Sequence, residues 1–141
     1  MRYTRLLQAS QFTAYHGTQN PDLQLTANWL YLITDFDMAK NYAQGYLFNY
    51  DLQEGETPYV YTMSVQIDKP LNLRNPEMWG KYGNYLDDVD LPAILPELKE
   101  QGYDGIIYEE DNGANGFIVF NAQKQCKILK KQYKRPQRVC R

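Results

Sequence analysis

The sequence predicts an α+β domain whose sheets are largely antiparallel, with two or three short helices. Three observations carry this. Short runs rich in β-formers recur along the chain. Two stretches show apolar residues at helical spacing. The segments "YDGIIYEE" and "GFIVFNA" flank "DNGAN", an Asn/Gly-rich loop of the kind that closes a hairpin. At 141 residues, without a repeat or a low-complexity block, the chain is expected to form one domain with a sizeable core.

Taken in order, "QFTAY" (11–15) reads as a short strand and "WLYLI" (29–33) as a buried one. "TDFDMAKNYAQGY" follows as a helix, with Thr34 or Asp35 as N-cap. Acids fill its first turn, and Phe36, Met38, Ala39, Tyr42 and Ala43 lie mainly on one face. "DLQEGETP" (51–58) is a polar loop, and "YVYTMSVQI" (59–67) alternates as a strand should. In "DKPLNLRNP", Pro70 argues against a central strand. "LPAILPELKEQG" (91–102) is a short amphipathic helix closed by Gly102. After the hairpin, "CKIL" supplies a last strand.

Composition narrows the function classes. No apolar run approaches the ~20 residues of a membrane span, and "MRYTRLLQASQF" lacks the apolar stretch of a signal peptide. The expectation is a cytoplasmic protein without membrane contact. Cys126 and Cys140 make no disulfide framework and read as free thiols. The net charge of −2 hides an asymmetry: residues 124–141 carry eight basic residues and no acid, whereas residues 1–123 hold seven basic residues against seventeen acids. Such a tail can grip an acidic surface or nucleic acid, or serve only as a solvated terminus.

Chemistry is limited by what is present. There is no Gly-Lys phosphate loop and no Cys/His cluster for zinc. Neither Ser10 nor Ser64 sits in a Gly-x-Ser-x-Gly elbow. One histidine, His16, cannot build a multi-histidine metal site. What remains is His16 beside a glycine turn, tyrosine-rich segments, and the acids Glu109, Glu110 and Asp111. These parts suit a polar ligand with aromatic faces, served by a carboxylate.

"YHGT" (15–18), "LYLITDFDMAKNYA" (30–43) and "NGFIVFNAQKQCKIL" (115–129), in that order, resemble the histidine–tyrosine–glutamate branch of the ADP-ribosyltransferases. That branch includes the poly(ADP-ribose) polymerase fold and small phage and bacterial relatives. The first family motif is matched by Tyr15, His16, Gly17 and Thr18, the second by Tyr31 and Tyr42, and the third by Phe117 to Asn121.

The resemblance implies a split β-sandwich of two mostly antiparallel sheets, with a catalytic domain over residues 1–130 and a basic tail over 131–141. It implies NAD as substrate, with no metal, and binding by His16, Gly17, Thr18, Tyr31, Thr34 and Tyr42. His16 would donate to a ribose 2′-OH, the Gly17 backbone would meet the nicotinamide carboxamide, Tyr42 would lie on the pyridinium, and Tyr31 would form the other wall. The implied activity is mono-ADP-ribosylation of a macromolecular acceptor, a protein favoured over a nucleic acid. Some phage members, one of which disables bacterial CRISPR machinery, are similar around "EEDNG", which extends the expectation to a phage effector or anti-CRISPR protein acting in a host cytoplasm.

The family's catalytic glutamate falls on Gly116, which offers no carboxylate. Two readings stay open. In one, Glu109, Glu110 or Asp111 replaces it from the neighbouring strand, Glu109 or Glu110 sitting across from Gly116 according to a loop of four or five residues. In the other, the chain is a binding or inhibitory protein that holds NAD or ADP-ribose and turns it over poorly.

Overall fold

The computed structural model describes residues 11–43 and 58–133. The N-terminal decamer, most of the polar loop after the first helix, Cys140 and tail residues 134–141 lie outside the described residues. The described chain forms one mixed seven-stranded sheet with short helices packed against it.

In chain order the strands are β1 (Gln11–Thr18), β2 (Leu30–Ile33), β3 (Tyr59–Gln66), β4 (Pro70–Asn72), β5 (Gly105–Glu109), β6 (Asn115–Val119) and β7 (Cys126–Tyr133). The helices are α1 (Phe36–Ala43), α2 (Pro76–Tyr82), α3 (Leu91–Glu100) and α4 (Ala122–Gln125), with a 3₁₀ turn at Gly83–Tyr85. Spatially the strands run β4-β5-β6-β2-β1-β3-β7. Every pairing is antiparallel except β4 with β5.

The expected two sheets are two lobes of this one sheet. On one side β1 pairs with β3 along its whole length, and β3 with β7. On the other, β2, β6 and β5 pair in continuous ladders. Between the lobes, β1 and β2 pair at a single position, Tyr15 with Ile33.

Alternation decides what is buried. Tyr61, Met63 and Val65 of β3 turn one face into a core shared with Leu32, Phe117 and Val119, while Ile118 on the opposite face of β6 joins Leu95, Leu98 and Ile106 beneath α3. Strand β6 is therefore buried on both sides. Pro70 opens β4, which is an edge strand, where the missing amide donor does no harm.

Helix α2 and the 3₁₀ turn have no counterpart in the sequence expectation. Their start is nevertheless written there: Asn75 caps the helix by accepting from the Glu77 amide at 2.9 Å, and Pro76 occupies the first turn. For α1 the cap is Asp35, whose Oδ1 accepts from the Met38 amide at 3.2 Å. Thr34 instead donates its hydroxyl to the Asn115 carbonyl at 3.3 Å, tying β2 to β6. Strand β7 runs to Tyr133, so residues 131–133 belong to the sheet.

Candidate active site

A cleft of about 580 Å³ opens where the two lobes part, a size suited to a small ligand. Strand β1 supplies Tyr15 to Gln19, and β2 supplies Tyr31 to Ile33. Helix α1 adds Tyr42, the loop after the 3₁₀ turn adds Leu86, Asp87 and Asp88, and β5 with its tip adds Tyr108 and Glu110.

His16 spans the seam. Its Nδ1 lies 2.7 Å from the Tyr31 carbonyl of the facing strand. A carbonyl only accepts, so Nδ1 carries the proton. Burial pulls the imidazole below its usual range, with the Tyr31 carbonyl opposing this in part. The neutral ring therefore leaves Nε2 as a hydrogen-bond acceptor.

Gly17 has a structural reason to be glycine. A Cβ there would lie 1.8 Å from the Ala39 carbonyl oxygen and 2.9 Å from the Ala43 amide. The bare backbone lets α1 press onto β1, with Ala39 and Ala43 fully buried at the contact. The helix alone is reason enough for the bare backbone. Thr18 lines the cleft while its hydroxyl accepts from the Asn20 amide at 3.1 Å, closing the turn after β1.

Tyr31 donates its hydroxyl to the Leu86 carbonyl at 2.6 Å, pinning the acidic loop 86–88 to β2. Burial, then the neighbouring Asp88, pushes this phenol far above its ordinary range. Tyr42 reaches from α1 to Glu110, its hydroxyl 3.0 Å from Oε1 and 3.2 Å from Oε2. Tyr108 brings its hydroxyl within 3.0 Å of Oε2. Burial, then the Glu110 charge, raises both phenols, so each stays protonated and donates. The Glu110 carboxylate is thus held in the cleft by two phenols from different elements.

The three hairpin acids separate. Five residues, 110–114, lie between the two strands. Gly113 adopts φ +85° and its amide bonds the Glu110 carbonyl at 2.8 Å, while the Glu110 amide bonds the Ala114 carbonyl at 2.9 Å. This register pairs Tyr108 with Gly116 and Glu109 with Asn115. Neither glutamate lies directly across from Gly116; Glu110 stands two positions toward the tip, on the Tyr108 face.

Glu109 points to the other face, with its side chain 59% exposed, and meets Arg74 at 3.2 Å. Arg74 also donates to the Asn115 side chain and the Gly113 carbonyl, bracing the hairpin. Asp111 and Thr34 do not line the cleft. The residues that sequence reasoning missed are Tyr108 and the pair Asp87 and Asp88. Tyr108 was legible by period two from Glu110; the acidic pair enters through a turn with no periodic signal.

Among the described residues no group of His, Cys, Asp and Glu side chains could hold a metal ion, and no helix is long and apolar enough to cross a membrane. Cys126 is buried, and burial pushes its thiol up to about 11.

No protein-family model matches the sequence, and no curated protein is found similar to it. Among solved structures, a chain of the M. tuberculosis MbcT–MbcA toxin–antitoxin complex shares the fold. Its TM-score is 0.64 at 13% identity, over 94% of this chain and 91% of that one. The fold is therefore one that a chain of a toxin–antitoxin complex also adopts.

Proposed function

We propose that this chain is an NAD-dependent mono-ADP-ribosyltransferase acting on a macromolecular target, a protein in preference to a nucleic acid. The observation that carries the reading is Glu110, a carboxylate held by Tyr42 and Tyr108 in the cleft that also contains His16 and Tyr31. The cleft's charged side chains Asp87, Asp88 and Glu110 favour a cation, as the pyridinium of NAD is.

In this mechanism, Tyr42 and Tyr31 flank the nicotinamide, and an aromatic face over a pyridinium contributes ~0.5–2 kcal/mol. His16 Nε2 accepts from a ribose hydroxyl and orients the sugar. The bond between ribose C1′ and the nicotinamide nitrogen breaks, and its electron pair leaves with nicotinamide. Positive charge grows on the ribose as in glycoside cleavage, beside the Glu110 carboxylate. The acceptor nucleophile then bonds C1′ and gives its proton to that carboxylate or to water.

The structural neighbour's place in a toxin–antitoxin complex supports a toxin-like effector that meets a protein partner. The basic residues beyond β7 would steer the acceptor. Removing residues 134–141 leaves β7 whole; it should spare nicotinamide release and reduce acceptor labelling at low salt. Equal labelling by the shortened chain would make those residues a solvated terminus.

The main test is incubation with labelled NAD and a cell lysate, reading free nicotinamide and labelled macromolecules. Glu110→Gln should slow single-turnover nicotinamide release by about 10²–10³-fold while sparing NAD binding. An unchanged rate would remove Glu110 from the chemistry. NAD binding without release or labelling by the native chain would favour the binding-protein reading.

A further inference from the structure

We propose that Tyr108 and Gly116 form one device that positions Glu110. The Tyr108 ring fills the volume a side chain at 116 would take, and its hydroxyl fixes the carboxylate two residues along the same strand face. The inference rests on the transferase reading for its catalytic meaning, but its geometry does not.

Three observations meet here. Tyr108 and Gly116 are direct cross-strand partners. A Cβ on Gly116 would fall 2.4 Å from Tyr108 Cζ, 2.5 Å from Cε2 and 2.8 Å from the hydroxyl oxygen. No real Cβ tolerates such distances, so the ring lies on the glycine backbone as an aromatic covering a bare strand position. Finally, Tyr108 and Glu110 are two residues apart on one strand and share a face, and the hydroxyl donates to Oε2 at 3.0 Å.

The consequence concerns the family's glutamate, which would stand at 116. A side chain there would force the Tyr108 ring off this position, and with it the hydroxyl that holds Glu110. Tyr108 touches no reacting atom in this scheme; it acts through Glu110. Tyr42 braces the same carboxylate from α1, so the acid is aimed by groups from both lobe and helix.

The test is a pair of double-mutant cycles on the full chain. Tyr108→Phe keeps the ring and removes the hydroxyl. It should lower kcat about tenfold with KM for NAD unchanged within about twofold, as expected for a group that orients another. In a Glu110→Gln background the same change should cost nothing further in kcat. An equal loss in both backgrounds overturns the positioning role. Thermal unfolding provides a readout independent of activity. The Tm losses of Tyr108→Phe and Glu110→Gln should be smaller together than their sum; strict additivity overturns the contact. Gly116→Ala should lower Tm sharply beside Tyr108 and much less beside Tyr108→Ala, and equal losses overturn the ring's part. A native chain that releases no nicotinamide defeats the transferase reading, while the thermal cycles still decide the positioning.

Discussion

His16 is neutral at its post because a carbonyl takes its one ring proton and burial opposes a second. The folded pKa lies below the ordinary 6.5, so between the two values the unfolded chain binds the extra proton and the folded chain does not. Stability linked to His16 is fully present above about 6.5 and is lost as pH falls toward the folded value. The native chain should therefore lose more Tm between pH 7.5 and 5.5 than His16→Asn does. Equal losses would mean that His16 is charged or solvated in the folded chain. Glu109→Gln and Asp111→Asn probe the other two hairpin acids. Both should release nicotinamide at close to the native rate, since Glu109 serves Arg74 on the opposite face and Asp111 stands outside the cleft.

The β5–β6 hairpin is the element that brings the acid to the helix. Its tip is tied to α1 by Asn112, whose Nδ2 donates to Asp35 Oδ2 at 2.7 Å, and to the segment after β4 by Arg74. These contacts are exposed, so Asn112→Ala should cost no more than about 1 kcal/mol of stability. Its effect on kcat should be larger, because the tie sets how Glu110 meets Tyr42; a kcat change no larger than the stability loss would show that the tip needs no tie.

Much of this element was readable. "DNGAN" announced the turn, and the flanking β-formers announced the strands. The register was not readable between loops of four and five residues, because it is set by the turn that Gly113 closes at φ +85° and not by the loop's composition. Helix α2 went unread although Asn75 and Pro76 mark its start, since "EMWGKY" shows no clear apolar stripe and carries a glycine. In the cleft, "YHGT" and Tyr42 were visible as a constellation. The partner loop 86–88 was not, because its place depends on a tertiary hydrogen bond from Tyr31.

At the scale of the whole molecule the cleft is a seam between lobes, and its walls come from both. A ligand that fills it binds the folded chain alone, so NAD should raise Tm by mass action, with a smaller shift in His16→Ala and Tyr42→Ala. A melting curve unmoved by millimolar NAD would refute the cofactor assignment. Sequence periodicity announced the strands of both lobes except β4, but not their joining into one sheet, since that join is the single pair Tyr15 with Ile33.

That narrow join has a consequence for how the chain must assemble. Along the sequence the described strands alternate between lobes: β1 belongs to one, β2 to the other, β3 to the first again, β4 to β6 to the second, and β7 returns. The backbone is braided across the gap that it leaves almost unpaired. Neither lobe is a contiguous segment, so neither can be cut out and folded alone, and every ladder except the β5–β6 hairpin waits on strands distant in sequence. Such non-local pairing slows folding and couples the halves into one cooperative event. The molecule thus joins its lobes by a shared core and by chain connectivity, while their strands pair at a single position beside the cleft.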